Sequence, residues 1–148
     1  MTDLFKKKVI EEVKKRGLVV EQKGESTEFT EMISLLLHSR TQSHVLHLQT
    51  RRFSEHKALN EYYDEIGGMI DGLVESFQGK YGILKGYQSY EISTYKNIDM
   101  TITYFQELCS KVEKLRTCCE DSYLQNQIDN VIQLINSTLY KLKFLKMD

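Results

Sequence analysis

The chain of 148 residues contains no proline, and that absence constrains its fold more than any other feature. Proline ends or kinks a helix, so a chain without it accommodates long helices wherever apolar residues recur at helical spacing. They recur in four stretches. Phe29, Ile33, Leu36, Leu37 and Leu48 predict a helix over 27–50, with Ser26 as its N-cap. Leu59, Tyr62, Tyr63, Ile66, Met69, Ile70, Leu73 and Phe77 predict a second, ending at Gly79. Ile98, Ile102, Phe105, Leu108, Cys109, Val112, Leu115 and Cys119 predict a third. Leu124, Ile128, Val131, Ile132, Ile135, Leu139 and Leu142 predict a fourth, with Asp121 and Ser122 as caps between the last two. A shorter helix over 4–16, stopped at Gly17, precedes them and leads into an extended arm, LVVEQKG.

Four long amphipathic helices can hide their apolar stripes only against one another, which predicts an all-α four-helix bundle over 27–148. Residues 1–26 form the preceding helix and arm. The connections after the first and third long helices are a few residues long and predict antiparallel hairpins. The segment YGILKGYQSYEISTYKN, 81–97, is long enough to cross the length of the bundle between the second and third. One long crossover of this kind is the connectivity of ferritin-like bundles.

Composition restricts the function classes. Charged residues are 28% and apolar residues 41% of the chain, which is neither a disordered nor a membrane-spanning composition. No apolar run is long enough to cross a bilayer, and MTDLFKKKVIEEVKKRG has no signal-peptide core. A cytoplasmic setting is therefore expected. Cys109, Cys118 and Cys119 lack zinc-finger spacing and fit a reducing compartment; Cys109 falls on an apolar stripe, where a thiol fills core. The net charge of −1 leaves nucleic-acid binding only to a local patch such as Lys6, Lys7, Lys8, Lys14, Lys15 and Arg16. Glu11 and Glu12 interrupt it, as they would on an ordinary solvated helix. No glycine-rich phosphate loop or nucleophile elbow occurs.

Three of the four histidines lie in HVLHLQTRRFSEH, 44–56. On a helical wheel Arg40, His44 and His47 fall within about 40° of Ile33, on the inward side, whereas His38 falls about 140° away and faces solvent. An arginine and two imidazoles on one inward face require polar partners. The second helix offers His56, Asn60, Asp64, Asp71 and Glu75 on one strip, the donor types that zinc, iron and manganese accept. The competing reading of Asp64, Asp71 and Glu75 is an ordinary solvated face. His56 and Asp71 are separated by about 22 Å of helix, too far for one ion to bridge. A site containing both needs a second copy running antiparallel across a two-fold axis. Gly67, Gly68 and Gly72 each cost a helix about 1 kcal/mol relative to alanine. With Ala58 and Ser76, Gly68 and Gly72 make a ridge of small residues that suits a close partner helix; a weak or kinked helix is the alternative.

HVLHLQTRRFSEHKALNEYYDEIGGMIDGLVESF resembles the signature of the Dps proteins, the DNA-protection mini-ferritins. His56, Asp71 and Glu75 reproduce the spacing of that family's second-helix ligands, and His44 or His47 stands for its first-helix histidine. The sequence departs in having Asn60 where the family has an acid, with Asp64 one turn on, and Phe53 three rather than four residues before His56. The motif covers 27–79 and the topology 27–145. The resemblance implies a ferritin-like fold, a homodimer or larger oligomer, and iron, or zinc or manganese, at the dimer interface, with ferroxidase-like oxidation of Fe(II). The third and fourth helices lack Glu-x-x-His, with Glu107 and Asp129 facing outward, which argues against the intramolecular di-iron centre of large ferritins. Two expectations therefore stand together: a metal-binding protein using His44 or His47, His56, Asp71 and Glu75, and a non-catalytic structural or interaction protein whose Arg40, His44 and His47 make a buried polar cluster with Asn60 or Asp64.

Overall fold

The computed structural model describes residues 2–15 and 25–146, with the backbone alone at 10, 13–15, 25 and 26. Within them lie α1 (Asp3–Lys15), α2 (Glu25–Gln49), α3 (Phe53–Tyr81), α4 (Ile98–Leu115) and α5 (Ser122–Phe144), with a single 3-10 turn at Arg116–Cys118. No described residue is in a strand, and the all-α expectation holds.

The helix ends depart from expectation where a side chain or a glycine has another task. α2 already includes Glu25, so Ser26 lies in its first turn and is not the N-cap. α3 passes through Gly79 and stops at Gly82, whose φ of 95° favours a residue without Cβ and whose N–H bonds the carbonyl of Gln78. Asn97 caps α4 by accepting the Met100 N–H at 2.9 Å. Asp121 occupies the N-cap position of α5 without capping it; its carboxylate accepts from Lys80 Nζ and Tyr81 Oη at the end of α3.

α2 packs on α3, α3 on α5, α5 on α4, and α4 on α2, a closed ring of four. Cross-contacts fix the directions. Thr101 at the start of α4 meets Glu55 at the start of α3, while Lys141 near the end of α5 meets Glu61 near the start of α3. Each helix is thus antiparallel to both its neighbours. Phe29, Ile33, Leu59, Tyr62, Ile66, Phe105, Leu124 and Ile128 bury their side chains completely along the axis. Phe29 stacks on Phe77 with ring centres 4.1 Å apart, and Tyr62 meets Phe105 edge to face at 4.8 Å. Burial pushes the Tyr62 phenol well above its ordinary pKa, so it stays protonated and pairs with Ser39 Oγ at 2.6 Å.

Residues 82–97 form an extended strap that travels along α2 in that helix's own direction. Gln88 N–H donates to Ser34 Oγ at 3.0 Å, Ser93 N–H to Gln42 Oε1 at 2.7 Å and Tyr95 N–H to Gln49 Oε1 at 2.8 Å. Gln42 Nε2 returns a bond to the Ser93 carbonyl at 2.9 Å. Side chains of α2 therefore supply the hydrogen bonds that a strand would take from a neighbouring strand.

Candidate functional site

The turn between α2 and α3 brings His47 and His56 into a face-to-face pair with ring centres 3.6 Å apart. His47 Nδ1 donates to the carbonyl of His56 at 2.7 Å, and His56 Nδ1 to the carbonyl of His47 at 2.9 Å. A carbonyl can only accept, so each Nδ1 carries a proton, and Nε2 is the nitrogen left over for any ligand. His47 is buried, at 8% exposed, and His56 is half-buried.

The inward group expected from the wheel separates. His47 is buried, but His44 and Arg40 are exposed, because their shared arc lies at the seam with α3 and is covered at the level of His47 but not at theirs. His44 stacks on Tyr63 at 4.3 Å, and Arg40 lays its guanidinium against Gly67, with Cζ 3.2 Å from where a Cβ would stand. The Asn60 and Asp64 partners proposed for a buried cluster bond elsewhere: Tyr63 Oη donates to Asn60 Oδ1 at 2.6 Å, and Asn60 Nδ2 to Asp64 Oδ2 at 3.0 Å. His38 was expected in solvent and is instead partly buried beneath the strap. It donates from Nε2 to the Glu91 carbonyl at 2.8 Å and accepts at Nδ1 from Tyr104 Oη at 2.9 Å. Burial raises the Tyr104 pKa far above its ordinary value, which keeps that hydroxyl a donor.

Asp71 and Glu75 are exposed on the outer face of α3, about 22 Å or more along the helix from His56. Gly68 and Gly72 have no neighbour within 4 Å of a built Cβ, so no contact in this chain requires them small. Among the described residues no group of three or more His, Cys, Asp or Glu can hold a metal ion. In the basic segment Lys6, Lys7 and Lys8 are exposed beside exposed Glu11 and Glu12. The side chains of Lys14 and Lys15, and the whole of Arg16 and the arm to residue 24, lie outside the described residues.

Sequence reasoning missed Glu55. It is 1% exposed, with Oε1 accepting from Thr101 Oγ1 at 2.8 Å and Oε2 from Thr50 Oγ1 at 3.0 Å and Tyr95 Oη at 2.9 Å. One carboxylate thereby ties the α2–α3 turn, the strap and the start of α4. The signal was present in the spacing, because Glu55, Leu59, Tyr62 and Ile66 follow one helical stripe. An acid in the first turn of a helix has an ordinary explanation in the helix dipole, which hides it.

No helix of the described residues is long and apolar enough to cross a membrane. No curated protein and no solved structure matches the chain. A model of a family of unknown function, DUF5856, matches residues 47–142, a span that opens on His47 and takes in His56, Glu55, Asp71, Glu75 and the strap but not His44. Since that span is well over half of the chain, the protein belongs to this family of unknown function, DUF5856.

Proposed function

We propose that the chain is a ferritin-like, Dps-like metal-binding protein that dimerises through the outer face of the α2–α3 hairpin. In this reading His47 and His56 of one protomer, with His44 at the edge, face Asp71 and Glu75 of its partner. The observation that supports it best is the state of the two imidazoles. Each donates Nδ1–H to a backbone carbonyl, the arrangement that fixes the tautomer of a histidine binding metal through Nε2. Two imidazole nitrogens and two carboxylates suit iron, zinc or manganese. The donors fall into two groups at opposite ends of one face of α3, so a head-to-tail copy is the arrangement that unites them. The closed antiparallel ring with its single long strap agrees with a ferritin-like topology. Bound iron would supply one-electron oxidation of Fe(II) by oxygen or peroxide; the chain's own part is to hold it and to leave Asn60, a neutral side chain, where a second acid would recruit another ion.

The test is metal content together with mass in solution. Purified protein loaded with Fe(II) without oxygen, or with Zn(II) or Mn(II), should elute as a dimer or larger species retaining the metal. His56→Ala and Asp71→Ala should each lose it, and mixing the two variants should recover part of the binding, since one intact site is rebuilt from two damaged chains. A metal-free monomer would overturn the reading.

A second reading rests on the same bonds. The imidazole pair closes its Nδ1 contacts inside the chain and needs no ion to be satisfied, as in a non-catalytic interaction protein. His47→Ala would then lower stability in a protein that never carried metal.

A further inference from the structure

Cys118 closes the 3-10 turn and Cys119, with φ −110° and ψ 127°, leaves it in extended conformation. Successive side chains of an extended chain point apart, but this change of backbone turns both thiols to one side, with Sγ atoms 3.4 Å apart. Both belong to the buried core, 6% and 4% exposed, where the turn meets α2, α4 and α5, so a ligand reaches them only when the turn opens locally. We infer that Cys118 and Cys119 form a vicinal dithiol site for a trivalent arsenic species, which the two sulfurs hold as a cyclic dithiolate.

Three geometric arguments select that ligand class. A direct S–S bond is disfavoured, because a trans peptide holds adjacent Cα atoms about 3.8 Å apart while disulfides need about 4.4–6.8 Å; the chain has no cis peptide to relieve this among its described residues. A bridging atom removes the conflict. With sulfur–ligand bonds of about 2.3 Å, sulfurs 3.4 Å apart subtend roughly 95° at the bridge. Tetrahedral zinc would ask for a separation of about 3.8 Å and a linear two-coordinate ion for about 4.6 Å, on the same bond length. Trivalent arsenic, whose lone pair compresses its bond angles toward a right angle, asks for the shortest separation of the three and so for the least rotation of the two thiols. Zinc also wants four ligands, and among the described residues no third His, Cys, Asp or Glu completes a metal group here. Arsenic needs only two sulfurs and keeps a hydroxyl: As(OH)3 and two thiols give a cyclic dithiolate, HO–As bonded to both sulfurs, and release two waters. Two S–H and two As–O bonds break, two As–S and two O–H bonds form, and no change of oxidation state occurs.

The probe is arsenite, added to the folded full-length chain in excess glutathione, which competes with any single thiol. The wild type should retain one arsenic per chain by mass spectrometry and release it to a dithiol such as dimercaptopropanol. Cys118→Ser and Cys119→Ser should each weaken retention by the order of 10²–10⁴ that joining two binding groups contributes, while Cys109→Ser retains it. Circular dichroism confirms that each variant is folded, and Cys118→Ala and Cys119→Ala replace any serine variant that is not. Absence of arsenic from the wild type, or equal retention by the single variants, overturns the site.

Discussion

Glu55 accepts three hydroxyl bonds in a place from which water is excluded, so its removal strands three donors at once. Glu55→Ala should destabilise the fold by about 2–4 kcal/mol, the range for breaking a buried hydrogen-bond network. Glu55→Gln should cost less, because the amide keeps one acceptor oxygen and hydroxyls can rotate to meet its NH2. Urea unfolding of the three proteins checks the order; equal stability of the alanine variant and wild type would show that the network contributes little. At this scale the wheel located the histidine cluster and erred on which members are buried. Arg40, His44 and His47 share an arc, yet only His47 is buried, since an arc at the seam between two helices is inside at one level and outside at another. Wheel angle alone does not record that level.

At the scale of elements, helix existence was legible because a run of apolar residues at spacings of three and four leaves no other regular structure able to bury it. Ends were less legible because a capping residue can be drawn away. Asp121 is the instance: its carboxylate joins the end of α3 to the start of α5 through Lys80 and Tyr81. The Lys80 bond, then the Tyr81 bond, hold its pKa below the ordinary carboxylate value. A depressed folded-state pKa gives stability that is present above the unfolded value near 3.9 and lost as pH falls through the folded one. Asp121→Asn should therefore lie below wild type in thermal midpoint at neutral pH and converge with it below about pH 4. A gap that persists unchanged to pH 2 would assign the loss to something other than this charge. The glycines of α3 give a second test at this scale. Since nothing lies within 4 Å of a Cβ at Gly68 or Gly72, alanine at either should stabilise an isolated chain by roughly 0.5–1 kcal/mol. If a partner helix seats on that ridge, the same substitutions should weaken association. Unfolding and sedimentation on one set of samples separate the two effects.

For the molecule as a whole, connector lengths were enough to read two hairpins and one crossing segment, but not the surface that the crossing segment follows. Ser34, His38, Gln42 and Gln49 recur at helical spacing on α2 and look in sequence like a face that meets water. In the structure they meet the strap, bonding its backbone at residues 88, 91, 93 and 95. A polar stripe that binds another part of the chain through main-chain atoms has the composition of one that binds solvent, so no pattern of residue types distinguishes them. The strap's attachment is accordingly a property of α2 side chains, with Gln42 holding both the N–H and the carbonyl of Ser93. Gln42→Ala should release that midpoint at a local cost of about 1–2 kcal/mol. Amide exchange at Ser93 and Tyr95 should quicken, and trypsin should cut sooner at Lys85 and Lys96, while the amides of α3 and α5 keep their protection. Equal quickening throughout the ring would mean that the strap and the helices open as one cooperative unit. Confinement to 82–97 would mean that the four helices hold together without it and that the strap opens on its own.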